Sequence, residues 1–205
     1  MSTYRLKNLL APHSVALVGA SPRHGSVGRA ILNNIRKAQF KGEFGLVNPR
    51  YHEIDGVASV GSIAKLAFAP ELVVVTAPAR TIPGLIDEAG RRGAAGAVIV
   101  SAGLGHGQGS MADEAERAAQ KYGMRLIGPN CLGIMMPGVS LNASFSAHMP
   151  AAGNLALIAY AFQEGLAFQG WHWAGLLGVV LLVTAFFRRC PLYVALGISS
   201  CPVRQ

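Results

Sequence analysis

Short apolar runs recur along the first two-thirds of the chain, each closed by glycine, proline or small polar residues. The runs at 14–18, 44–47, 72–76, 97–101 and 125–127 have the length and continuity of strands buried on both faces. Between them the apolar positions shift to helical spacing, most clearly at 27–37, 82–92 and 111–122. The third of these segments opens on Ser110 and places Asp113 and Glu114 in its first turn, where the helix dipole favours acids. Strand–helix alternation of this kind predicts an α/β fold, a doubly wound parallel sheet of five strands with helices on both faces. Ligands on such sheets bind at the carboxyl ends of the strands. The informative residues are therefore those that follow each run.

After the first run comes Gly19-Ala-Ser21-Pro-Arg23-His-Gly25-Ser26-Val27-Gly28. Gly19 permits a tight exit from the strand, Gly25 lets backbone approach a ligand, and Gly28 lets helix and sheet pack closely. The helix starting near Ser26 or Val27 turns free N–H groups and its positive end toward this loop, an arrangement that suits phosphate. The glycine spacing, G-x5-G-x2-G, is longer than the dinucleotide fingerprint. The second run ends in Asn48-Pro-Arg50-Tyr, where an NAD site needs an acid for the ribose hydroxyls. An arginine suits a phosphorylated ribose, which leaves NADP or coenzyme A. The remaining runs lead into Thr76-Ala77-Pro78-Ala, Ser101-Ala102-Gly-Leu-Gly and Gly-Pro-Asn130-Cys131-Leu-Gly. These small residues and prolines outline a smooth slot for a thin, flexible ligand, without the proton-transfer partner that a nicotinamide needs.

Charge narrows the partners further. The net charge is +8, and up to residue 150 there are 15 Lys and Arg against 9 Asp and Glu, scattered rather than striped. That spacing argues against nucleic acid and favours a small polyanion. Asp87 and Glu88 are expected on a solvated helix face, as are Asp113, Glu114 and Glu116. His13, His24, His52 and His148 form no constellation, and His106 sits in a glycine-rich loop. No catalytic residue and no metal site is expected. Cys131, Cys190 and Cys201 are too far apart for a disulfide framework or a zinc site. With an N-terminus that lacks a signal peptide's apolar stretch, they predict a reducing, cytoplasmic setting for the first 150 residues.

The blocks "VALVGASPRHGSVGRAIL", "LVNPRY", "VVVTAPA", "GAVIVSAGLG", "LIGPNCLGI" and "LNASF" resemble the CoA-binding domain of NDP-forming acyl-CoA synthetases, kin to the succinyl-CoA synthetase α subunit. The resemblance covers roughly residues 7–158 and implies a Rossmann-like domain over 1–150 that holds CoA or acyl-CoA. It implies that the CoA phosphates and ribose lie at the loop of Gly19, Ser21, Arg23, Gly25, Ser26, Val27 and Gly28. Asn48 and Arg50 would then stand at the nucleotide end, and Thr76, Ala77 and Pro78 along the pantetheine. Ser101, Ala102, Asn130 and Cys131 complete the set, the last two toward the thiol.

In that family "GNLALI" leads into a Ser-Gln-Ser-Gly turn that opens a second domain carrying a phosphorylated histidine. Here it continues as "GNLALIAYAFQEGLAFQGWHW". None of the six histidines inherits the phosphohistidine role, and no nucleotide-grasp region is recognisable, so ligase turnover is not expected of this chain alone. The missing domains would have to act in trans. Residues 173–187 are 15 in a row without a charge, preceded by Trp171 and followed by Arg188 and Arg189. That is short of the ~20 that cross a bilayer core, with anchors of interfacial type at both ends. The segment "GLLGVVLLVTAFFRRCPLYVALGISSCP" resembles the YgaP-like inner-membrane transmembrane domain found beside rhodaneses. The expectation is a hydrophobic helical hairpin over 151–205, inserted in a membrane or packed on the domain, in a truncated or chimeric chain. An NADP-binding oxidoreductase fragment and a membrane-anchored interaction protein are the alternatives.

Overall fold

The structure is a computed structural model that describes residues 3–150. The expected hydrophobic hairpin at 151–205 lies outside the described residues. Helix α1 spans Thr3–Leu10, and strand β1 (Ser14–Val18) follows, buried at every position. Helix α2 (Val27–Ala38) leads to β2 (Glu43–Val47), then to the short strands β3 (Glu53–Ile54) and β4 (Val57–Val60). Next come β5 (Leu72–Val75), α3 (Ile82–Arg91), β6 (Gly96–Ile99), α4 (Met111–Lys121) and β7 (Arg125–Ile127). A final antiparallel pair, β8 (Gly133–Met136) and β9 (Leu141–Ser144), stands apart from the main sheet.

The main sheet has seven strands, in the order β3-β4-β2-β1-β5-β6-β7. The five expected strands and three expected helices are all present, with ends shifted by at most two residues. The expected count of five is corrected by the β3–β4 hairpin. Its β4 pairs parallel with β2, and its β3 caps the edge in antiparallel sense. Asp55 and Gly56 turn that hairpin at φ values of 50° and 79°, the left-handed pair that a two-residue turn needs.

Alternation along the central strands builds two cores. Val15, Leu17, Leu72, Val74 and Val98 point to one face, against Ile31, Leu32 and Ile35 of α2 and against the β8–β9 pair. Ala16, Val18, Val73, Val75, Ala97 and Ile99 point to the other, against Ile82 and Ile86 of α3 and the alanine face of α4. Both faces of each strand are covered, which is why these segments appear as continuous apolar runs. No helix among the described residues is long and apolar enough to cross a membrane.

Candidate functional site

Because β1, β2, β4 and β5 run parallel, their carboxyl ends open at one edge of the sheet. The exit of β1 is tight. Gly19 has φ of 90°, and a Cβ there would lie 2.7 Å from the Ala77 backbone nitrogen, so glycine is needed for conformation and for space alike. At Gly28 a Cβ would come within 2.7 Å of Ala20 Cα and of Thr76 Oγ1, so the helix–sheet approach at this glycine is as close as the spacing implied. Ser26 caps α2. Its Oγ accepts from Arg29 N at 3.4 Å and donates to the Ser21 carbonyl at 3.2 Å. Arg29 then braces the loop from α2. Its guanidinium donates to Pro22 O at 3.0 Å and to both carboxylate oxygens of Asp55, at 2.7 and 2.8 Å. The hydrogen bond from Arg29 and the neighbouring positive charge hold the Asp55 carboxyl below its ordinary value.

The loops after the other strands are tied to this one. Asn48, itself buried, donates to Ala20 O at 2.6 Å and accepts from Arg50 N at 2.8 Å. It thereby joins the ends of β1 and β2 and fixes the backbone on which Arg50 stands. Thr76 Oγ1 donates to Val18 O at 3.0 Å, Ser101 Oγ to Ala77 O at 2.6 Å, and Asn130 N to Ser101 O at 3.0 Å. Four strand ends are thus laced into one rim by side chains that also belong to the candidate set.

A cavity of about 620 Å³ opens at this rim. Of the candidate residues, Gly19, Ser21 and Arg23 line it from the first loop and Asn48 and Arg50 from the second. Thr76, Ala77 and Pro78 line it from the third. Gly25, Ser26, Val27 and Gly28 shape the loop and helix start without lining the cavity, and Ser101, Ala102, Asn130 and Cys131 also lie outside its lining. The Cys131 thiol is buried and faces Ile99 O at 3.3 Å, and burial pushes its pKa up. That sulfur is packed as a small apolar group, not presented as a nucleophile. A larger cavity, about 890 Å³, opens beside α4 and β7. None of the candidate residues lines it, and aliphatic side chains such as Leu104, Ala115 and Met124 form much of its wall.

Three charged or aromatic lining residues escaped the sequence reading. Arg80 follows directly on the Thr76–Ala79 segment, and its charge was the available signal. Tyr51 stands beside Arg50, exposed, where its ring offers a flat apolar face. Glu88 was expected on a solvated face but instead lines the cavity, its carboxylate accepting from Ala64 N at 2.9 Å. Asp87 is corrected likewise. It accepts from Tyr122 Oη at 3.1 Å and pairs with Arg91 and Lys121, joining α3 to α4. Among the described residues no cluster of His, Cys, Asp or Glu could hold a metal.

Comparison with known proteins places this geometry in context. The family model described as a CoA-binding domain matches residues 13–137, and that of the inner membrane protein YgaP-like transmembrane domain matches residues 150–204. The ADP-forming acetate–CoA ligase I of Archaeoglobus fulgidus is 36% identical over 169 residues, 81% of this chain and 24% of the relative. The α subunit of the corresponding Pyrococcus furiosus ligase is 32% identical over 173 residues, 81% of this chain and 37% of that subunit. Among solved structures, the acetyl-coenzyme A synthetase 1 of Candidatus Korarchaeum cryptofilum, in complex with phosphate and ADP, superposes with a TM-score of 0.64. It is 31% identical, over 68% of this chain and 30% of its own. The chain therefore spans only about a quarter to a third of the length of these relatives.

Proposed function

The chain belongs to the CoA-binding domain family, and from that premise we propose that it is the CoA-holding module of an NDP-forming acyl-CoA synthetase. The observation that carries the reading is the company Arg50 keeps. At the end of β2, where a dinucleotide site needs an acid for the ribose hydroxyls, an arginine lines the same cavity as Arg23 and the exit of β1. The diphosphate of CoA fits the loop at residues 19–28 and the positive end of α2. Its 3′-phosphate fits Arg50, and the pantetheine fits the small-residue wall of Thr76, Ala77 and Pro78. CoA, when bound, supplies the thiol that carries the acyl group. The chain's own residues hold and orient it.

Phosphoryl transfer and nucleotide binding fall to other parts of such ligases, and we read residues 13–137 as the part that holds CoA. We further read residues 151–205 as a separate segment that tethers the module to a membrane, its CoA site on the cytoplasmic side. The match of the transmembrane family model and the Trp and Arg residues flanking 173–187 support that reading.

The test is thermal unfolding of the full chain in detergent with CoA, dephospho-CoA, NADP or ADP. CoA at ~100 times its Kd should add about 2.7 kcal/mol of stability. Dephospho-CoA should bind more weakly, and Arg50→Ala should narrow the gap. Stabilisation by NADP but not CoA would point to the oxidoreductase reading, and stabilisation by none of the four would refute a retained nucleotide site.

A further inference from the structure

Nine arginines lie between residues 6 and 150. Arg29 and Arg36 bond to Asp55, Arg91 and Arg117 pair with acids on their own helices, and Arg92 donates to the carbonyls of Leu66 and Phe68. Arg125 is also engaged. Among the described residues, the remaining three, Arg23, Arg50 and Arg80, have no side-chain hydrogen bond and no ion pair. All three line the 620 Å³ cavity. Like charges gathered on one concave surface repel one another and draw in a polyanion.

We propose that Arg80 is a specificity-determining residue that reads the ribose phosphate of the ligand jointly with Arg50. The proposal rests on the CoA reading above. The diphosphate of CoA carries two charges, and its phosphomonoester adds about 1.5 to 2 more near neutral pH. Arg23 and the start of α2 serve the diphosphate, so Arg50 alone would leave the phosphomonoester half neutralised. Arg80 supplies the second cation from the opposite side. The strand order places β2 and β5 on either flank of β1, so the loops bearing Arg50 and Arg80 bracket the β1 exit. Arg80 also stands on a fixed turn, since Thr81 N and Thr81 Oγ1 both donate to Pro78 O, at 2.9 and 2.8 Å. Glu88 is the acid in the lining. Its bond from Ala64 N, at 2.9 Å, holds it to the chain that follows β4.

The experiment is calorimetric titration of the full chain in detergent with CoA and dephospho-CoA. A charge-assisted hydrogen bond is worth roughly tenfold or more in affinity. Arg80→Gln should therefore weaken CoA by about tenfold or more and dephospho-CoA by less than about threefold. Arg80→Lys should recover part of the loss, and Arg50→Gln with Arg80→Gln should make the two ligands bind alike. Arg23→Gln should weaken both ligands equally. Equal loss for both ligands in Arg80→Gln, or no loss for either, overturns the role of Arg80 while leaving the CoA reading standing. Failure of the unmutated chain to bind either ligand overturns both.

Discussion

Replacing Gly28 by alanine probes the close approach of α2 to the sheet, on which the loop geometry depends. The new methyl would meet Ala20 Cα and Thr76 Oγ1, each at 2.7 Å. Carbon–carbon contact is comfortable at about 3.5 to 4.0 Å, so something must move by roughly 1 Å. Overpacking of this kind costs about 1–3 kcal/mol. Replacing glycine within a helix returns about 0.5–1 kcal/mol of backbone entropy. The balance is a loss of roughly 1–2 kcal/mol, or ~2–8 °C in Tm for a chain of this size. Differential scanning calorimetry of the full chain reads it directly. Thr76→Ala should rescue only part of the loss, because the Ala20 contact is backbone and cannot be trimmed. Gly138→Ala, where no heavy atom lies within 4 Å of the added Cβ, is the control. An unchanged or raised Tm for Gly28→Ala, or full rescue by Thr76→Ala, would refute the close approach.

The Asp55 carboxyl titrates below its ordinary value of 3.8, chiefly through its bond from Arg29. The stability from that pair is therefore present above pH 3.8 and is lost as pH falls through the lowered value. Urea midpoints of the unmutated chain and Asp55→Asn should differ at neutral pH and converge in acid, whereas a constant gap would exclude the linkage. Burial of the Cys131 thiol, with its pKa pushed up, predicts slow alkylation in the native state and rapid alkylation in denaturant. Peptide mapping after a timed iodoacetamide pulse measures this, and fast native labelling of Cys131 would contradict its packing.

What each element needs decides how plainly the sequence announces it. The central strands are buried on both faces, so their apolar runs are continuous, and serine marks where α2 and α4 begin, as Thr81 and Pro83 mark the start of α3. The β3–β4 hairpin escaped because its strands hold two and four residues, too few for a period, although Asp55-Gly56 is a turn signal. The β8–β9 pair escaped because the buried polar residues Asn142 and Ser144 break the apolar run of β9, and β8 offers only three apolar residues after its glycine. In the site, the glycines and Arg50 were legible from their places after strands. Asn48, Thr76 and Ser101 were legible as candidates, but their hydrogen bonds between loops were not. The buried orientation of Cys131 was not legible either, since a cysteine after a strand looks the same whichever way its sulfur points.

The sequence by itself determined that alternating strands and helices form a parallel sheet and that its chemistry gathers in the loops after the strands. It also set the basic character at the end of the second strand. Only the tertiary structure decided which strands are neighbours, and so which loops share a cavity. Local apolar patterning reports that a strand is buried but carries no information about its partner. Pairing is settled by contacts between residues far apart in the chain, here Leu17 beside Leu46 on one side and Val74 on the other. That pairing sets β1 between β2 and β5, and it brings Arg80 to the same rim as Arg23 and Arg50.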